Sequence, residues 1–139
     1  MLEILILVSF FIFLILFALK KRVIRLEIIS GSEKSIIKVE LADNPLKRII
    51  GLMFRKRIGS DGMLFVFDKP ARYGFWMLFT RIPLDIIFLS EDCIVNEVIS
   101  MEPLSLEQKS PIKLAKYVLE TEKGKLRVIP GKTKIIIKN

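Results

Sequence analysis

The sequence predicts an α+β domain, mostly β, compact and barrel-like, with one or two short helices and a single transmembrane helix in front. Three observations lead there. One unbroken apolar run opens the chain, short β-branched runs separated by turn residues fill most of the chain after Val23, and a helical period appears once, near Leu46.

Leu2 to Leu19 is apolar except for Glu3 and Ser9. At 1.5 Å per residue it reaches roughly 27 Å, close to the hydrocarbon thickness of a bilayer. Its Leu, Ile, Phe and Val side chains each favour insertion by about 0.3–0.6 kcal/mol, and a buried core helix would show a polar stripe that this run lacks. Lys20, Lys21, Arg22 and Arg25 crowd the C-terminal flank, whereas no Lys or Arg precedes the run and no small-x-small site follows it. An anchor fits this better than a cleaved signal peptide. Residues 1–22 are therefore expected to be a single-pass membrane anchor with a basic flank, and residues 23–139 one mostly β domain. The positive-inside rule puts that domain in the cytoplasm; the extracytoplasmic orientation stays open, because some signal anchors disobey the rule.

Val23 to Ile29 and Ser35 to Ala42 are β-branched runs joined by Ser30-Gly31-Ser32-Glu33-Lys34, which reads as a hairpin. Asp43-Asn44-Pro45 supplies an N-cap with proline at the first helical position. Leu46, Ile49, Ile50 and Met53 then recur at i, i+3, i+4 and i+7, predicting an amphipathic helix to about Arg55. Gly51 inside it either weakens the helix or marks a close backbone approach. Gly59 to Gly62 is turn chemistry, Met63 to Phe67 a strand apolar on both faces, and Asp68 to Arg72 a loop. Leu84 to Leu89 and Ile94 to Met101 form a hairpin about Glu91-Asp92. Pro103 to Pro111 is a polar loop, and Lys116 to Glu120 and Lys132 to Ile137 are further strands. The total is seven or eight short strands and one helix.

The 139 residues carry 23 Lys and Arg against 15 Asp and Glu, a net charge of +8. Such a surface suits anionic partners, phospholipid headgroups among them. Nucleic acid fits less well, because Tyr73, Phe75 and Trp76 lie within apolar runs instead of alternating with basic residues. There is no histidine, which excludes His-based zinc sites, Ser-His triads and Cys-His dyads. Cys93 is alone, so no intrachain disulfide forms. The acidic residues do not fall at calcium-loop spacing, and the Gly59 to Gly62 loop lacks Walker spacing, so neither metal nor cofactor is expected. Abundant Ile, Lys and Glu with a single glutamine, Gln108, resembles a hyperthermophile composition.

Five blocks, in order, carry a family resemblance. Gly51-Leu52-Met53-Phe54-Arg55, Asp61 to Phe67, Phe75-Trp76-Met77, Thr80 to Phe88 and Tyr117-Val118-Leu119-Glu120 resemble the successive signatures of the domain-of-unknown-function 192 family, over roughly Val39 to Ile137. The resemblance implies a compact, mostly β domain with short helices, often exported or tethered by an N-terminal hydrophobic segment, and no established activity. Two positions depart from the family pattern. Leu78 and Phe79 stand where a polar pair is usual, and Gly131-Lys132 replaces a Gly-Asp.

The candidate binding residues are Arg55, Trp76, Arg81, Asp85 and Glu120; no catalytic residue is assigned. Asp85 is a carboxylate inside an apolar strand, and Arg81, four residues away in extended chain, is ~13 Å distant. Its partner must come from elsewhere, with Arg55 and Arg48 as the expected donors. A buried pair that fixes register competes with a catalytic role for Asp85. Trp76, with Phe75, Met77 and Phe79, is expected in the core because both parities of its run are apolar, with a ligand groove as the competing placement. The expected function is a membrane-tethered, non-enzymatic module that binds a small ligand or a protein partner. A hydrolase or isomerase using Asp85 or Glu120 with an arginine, and association with anionic lipid, are the alternatives.

Overall fold

A computed structural model describes residues 1–138. The elements are α1 (Leu2–Ala18), β1 (Val23–Ser30), β2 (Glu33–Ala42), α2 (Pro45–Ile50), β3 (Gly62–Ala71), β4 (Leu84–Leu89), β5 (Val95–Met101), β6 (Ala115–Glu122) and β7 (Thr133–Lys138). The seven strands make one sheet in the order β5-β4-β6-β3-β2-β1-β7. All neighbours are antiparallel except β2 and β3, which run parallel and are joined through α2. Parallel strands need such a crossover, which is why a helix falls between them.

Alternation along the central strands puts apolar side chains on both faces of the sheet. Leu26, Val39, Leu64, Ile87, Leu119 and Ile135 fill the inside of its curl. Phe65, Phe75, Met77, Ile86, Phe88 and Val118 form a second core on the other face, beneath residues 51–58 and 73–82. The expected barrel does not close. The edge strands approach at the Ile94 and Lys134 bridge, with Ile135 N–H donating to the Cys93 carbonyl at 2.9 Å and Gly131 N–H to the Val95 carbonyl at 2.8 Å. The right-handed twist of seven strands brings the edges near one another without a full ladder between them.

Three expected elements differ. The helix from Pro45 stops at Ile50, because Gly51 takes φ 48° and ψ −124°, a conformation open to glycine alone, so Met53 and Arg55 lie beyond it. Its start is as expected: Asn44 Oδ1 accepts from Lys47 N–H at 2.9 Å, with Pro45 at the first position. The loop expected from Asp68 is instead strand, since β3 runs through Pro70 to Ala71 with an irregular register after Val66 that tolerates the proline. Trp76 lies in no strand; only Phe75 makes an isolated bridge, to Lys109.

The opening helix, expected to be a membrane anchor, is also shorter than expected. Asn44 Nδ2 donates to the Ala18 carbonyl at 2.8 Å and ends α1 one residue early. Its 17 residues reach only ~25 Å at 1.5 Å each, and among the described residues no helix is long and apolar enough to cross a membrane. None of its side chains is buried by protein.

Gly62, where β2, β3 and β6 meet, tests this packing. A Cβ there would fall 2.4 Å from the Glu120 carbonyl oxygen. Gly62→Ala is expected to lower stability by about 2 kcal/mol or more, read as a drop in thermal midpoint. An unchanged midpoint would contradict so close an approach of the strands.

Candidate functional site

The register lines up Glu40, Met63, Glu120 and Ile86 across β2, β3, β6 and β4, with their side chains on the face covered by residues 51–58. Two carboxylates therefore share one row, about 10 Å apart at the usual strand spacing. Both are buried, Glu40 at 4% and Glu120 at 6% exposure. Their surroundings are opposite.

Glu40 is fully paired. Arg55 Nη1 and Nη2 donate to its two oxygens at 2.7 and 2.8 Å, and Lys21 Nζ lies 3.0 Å from Oε1. Burial alone would push the Glu40 carboxyl up, but the hydrogen bonds from Arg55 and Lys21, with their positive charge, outweigh it and hold the group below its ordinary value. The same bonds raise Arg55. Arg55 Nη1 also donates to the Ile58 carbonyl at 3.0 Å, which folds residues 55–58 over the sheet.

Glu120 accepts no hydrogen bond from a protein side chain or amide among the described residues. Burial drives its pKa up to about 8, against a smaller opposing pull from the Arg55 charge. Its carboxyl is therefore largely protonated at neutral pH and can donate a hydrogen bond. It lies in a groove of about 470 Å³ whose other walls include Phe65, Phe67, Tyr73, Phe75 and Trp76. Gly51 opens this space, since a Cβ there would stand 3.3 Å from the Phe65 ring and 3.9 Å from Glu120 Oε2. Phe67 and Tyr73 stack at 3.6 Å between centroids. Arg48, the groove's cation, sits 5.4 Å above Phe67 and donates to the Val66 carbonyl at 2.9 Å. A mostly apolar cleft with a few converging polar groups has the character of a small-ligand site.

The structure separates the five candidate residues. Trp76 and Glu120 line the groove, and Arg55 stands behind Gly51 with its guanidinium committed to Glu40. Trp76 is half exposed at the groove wall, which corrects its placement in the core. It occupies a loop in which Phe75 and Met77 turn inward and Trp76 outward. Asp85 faces the inside of the curled sheet and is satisfied without any arginine: Ser100 Oγ donates to Oδ1 at 2.5 Å and Gly124 N–H to Oδ2 at 2.8 Å. Arg81 is exposed and belongs to neither site. Among the described residues no three acidic or cysteine side chains come together as metal ligands. Glu40 escaped notice in the sequence, although a lone acid within Ile36 to Ala42 is the same signal that singled out Asp85. Tyr73 drew notice only as an aromatic against nucleic acid, and nothing in the sequence pointed to Gln108 as a groove residue.

Comparison with known proteins agrees with this architecture. Residues 27–133 match the DUF192 family, described as Uncharacterized ACR. A UPF0127 protein of Pyrococcus abyssi (strain GE5 / Orsay) is 34% identical over 97 residues, covering 66% of this chain and 77% of that protein. A UPF0127 protein of Pyrococcus furiosus is 34% identical over 90 residues, covering 63% and 74%. Among solved structures, a proposed transcription regulator from Sinorhizobium meliloti 1021 superposes with a TM-score of 0.79 at 29% identity, over 84% of this chain and 95% of that one. A protein of unknown function from Novosphingobium aromaticivorans DSM 12444 gives 0.75 at 30% identity, over 82% and 84%.

Arg55→Met would leave Glu40 buried with only the half-exposed Lys21 beside it. A loss of about 3 kcal/mol is expected, measured by equilibrium denaturation. In the double variant with Glu40→Gln the two losses should not add. Simple additivity would show that the pair does not hold the loop.

Proposed function

The chain belongs to the DUF192 family of uncharacterised proteins, and from that premise we propose that it is a membrane-seated binding module whose aromatic groove takes a small ligand. The observation that carries this is Glu120, a buried carboxyl at the groove with no protein partner among the described residues. A ligand acceptor placed at Glu120 would give its carboxyl a hydrogen-bond partner in the groove, worth about 0.5–1.5 kcal/mol. The preferred ligand has a flat apolar body to lie against Phe65, Phe75 and Trp76 and a carbonyl or similar acceptor directed at Glu120. Arg48 favours a negative or electron-rich group at the other end.

The membrane half of the proposal rests on α1. Its seventeen residues are apolar apart from Glu3 and Ser9, carry no polar stripe and bury no side chain against the domain, and Lys20, Lys21, Arg22 and Arg25 follow. Lipid is the environment such a helix fits. The shortfall of a few ångströms against ~30 Å of hydrocarbon is of the size that snorkelling lysines and local thinning of the bilayer accommodate. In this arrangement the domain lies on the cytoplasmic side with the basic flank at the headgroups.

An acid-base enzyme is the second reading, favoured by the raised pKa of Glu120 alone. Arg55 is tied to Glu40 and Asp85 to Ser100 and Gly124, so neither is free to act with it.

Trp76 is the only tryptophan and borders the groove, so its emission reports ligand entry. Full-length protein extracted natively from membranes is expected to carry a small molecule detectable by native mass spectrometry, whose removal and return shift the Trp76 emission. Glu120→Met should weaken that binding about tenfold, the worth of one hydrogen bond. Equal affinity in wild type and variant would sink the role of Glu120, and a chain that carries and binds nothing would sink the groove as a ligand site.

The pH dependence has a definite sign. Glu120 binds its proton more tightly in the folded protein, so its contribution is fully present below the unfolded carboxyl pKa and is lost as pH rises through about 8. The thermal midpoint should therefore fall between pH 5 and 9, by a few kcal/mol in stability at ~1.4 kcal/mol per unit. Glu120→Gln, which keeps the shape without the charge, should remove most of that fall. An identical fall in the variant would assign the pH dependence to other groups.

A further inference from the structure

Next to the groove, three loop tips combine backbone strain with exposed apolar side chains. Phe54, Phe79 and Leu104 have φ of 64°, 53° and 61°. A left-handed conformation is strained for a non-glycine residue. Their side chains are nevertheless 70%, 50% and 56% exposed, so burial does not offset that strain. The tips are locked to one another: Phe54 N–H donates to the Phe79 carbonyl at 2.8 Å, Leu104 N–H to the Thr80 carbonyl at 2.9 Å, and the Phe54 and Phe79 rings stack at 5.0 Å. Glycine or asparagine would sit at each tip without the strain.

The charge around these tips indicates what covers them. Lys56 and Arg57 follow two and three residues after Phe54; both are exposed, and neither joins an ion pair among the described residues. The same loop is bound to the foot of α1, because Glu40 joins Arg55 to Lys21 and the Cβ position of Gly59 lies 3.9 Å from Lys21 Nζ. Strained aromatics, free cations and the root of a bare apolar helix are thus neighbours. Rings at the acyl boundary with ammonium and guanidinium groups at the phosphates is the arrangement an anionic bilayer surface accepts.

We propose that Phe54, Phe79 and Leu104, flanked by Lys56 and Arg57, form a second contact with an anionic phospholipid bilayer, which holds the domain down on the surface where α1 is seated. The proposal rests on α1 lying in lipid, and the test separates the two. Full-length protein carrying Trp76→Phe and Phe54→Trp has one indole, at the tip. It is mixed with vesicles of phosphatidylcholine alone, or of equal parts phosphatidylcholine and phosphatidylserine, each with acyl chains brominated near the headgroup. Flotation with the vesicles reports α1.

The expected result is flotation with both, and a blue shift with loss of at least about half the indole emission on the anionic vesicles, weaker on the neutral ones. A Phe79→Trp version in the same background guards against a local fault at residue 54 and should behave alike, with circular dichroism confirming both folds. Flotation with solvent-like, unquenched emission from both versions overturns the second contact while leaving α1 in lipid, and would assign the patch to a protein partner. Quenching that ignores phosphatidylserine overturns the anionic assignment. No flotation overturns the seating of α1 and this proposal with it.

Discussion

The Glu40 and Arg55 pair is the contact on which the arrangement around the groove depends. A carboxylate buried on β2 is unfavourable without compensation, and the two-pronged guanidinium supplies it with parallel bonds of 2.7 and 2.8 Å. Because Arg55 lies beyond α2, meeting that demand draws residues 51–58 down onto the sheet. Lys21 joins the same carboxylate, so the foot of α1 is drawn to the same point. Asn44 makes a parallel link, capping α2 with its oxygen and α1 with its nitrogen. The orientation of α1 on the domain thus follows from two polar side chains.

That arrangement also explains the electrostatic contrast along one row of the sheet. Arg55 neutralises Glu40 and makes no hydrogen bond to Glu120 among the described residues, acting on it only through its charge. Desolvation therefore dominates at Glu120 and keeps it neutral near pH 7. Gly51 completes the site. Its backbone turns sharply over Phe65, and the missing Cβ leaves the space into which the Glu120 carboxyl looks. A glycine that weakens a helix in local terms is what ends α2 and opens the groove.

Much of the domain was legible in the sequence. The strand at Leu84–Leu89 falls on its expected residues, and those that became β1, β2, β5, β6 and β7 lie within two residues of the expected bounds. The Asn44-Pro45 helix start and the ordered family blocks were likewise readable. Trp76 departs from expectation because apolar residues at both parities imply burial on both sides only in a strand. In a loop held by Phe75 and Lys109, neighbouring side chains diverge, with Phe75 packed inward and Trp76 at the groove.

By itself the sequence determined what depends on near neighbours: where extended segments alternate with turns, where a cap begins a helix, and that the first residues are apolar all round. These follow from propensity, capping and periodicity, which act over a few residues. Tertiary structure alone decided the fate of each embedded acid. Glu40, Asp85 and Glu120 look alike in the sequence, each a carboxylate directly preceded by an apolar residue in a strand-forming segment. Asp85 finds Ser100 and Gly124, 15 and 39 residues away, and Glu40 finds Arg55, 15 residues away. Glu120 finds no partner among the described residues, because strand register and the path of residues 51–58 set those meetings, and neither is encoded in the residues beside it.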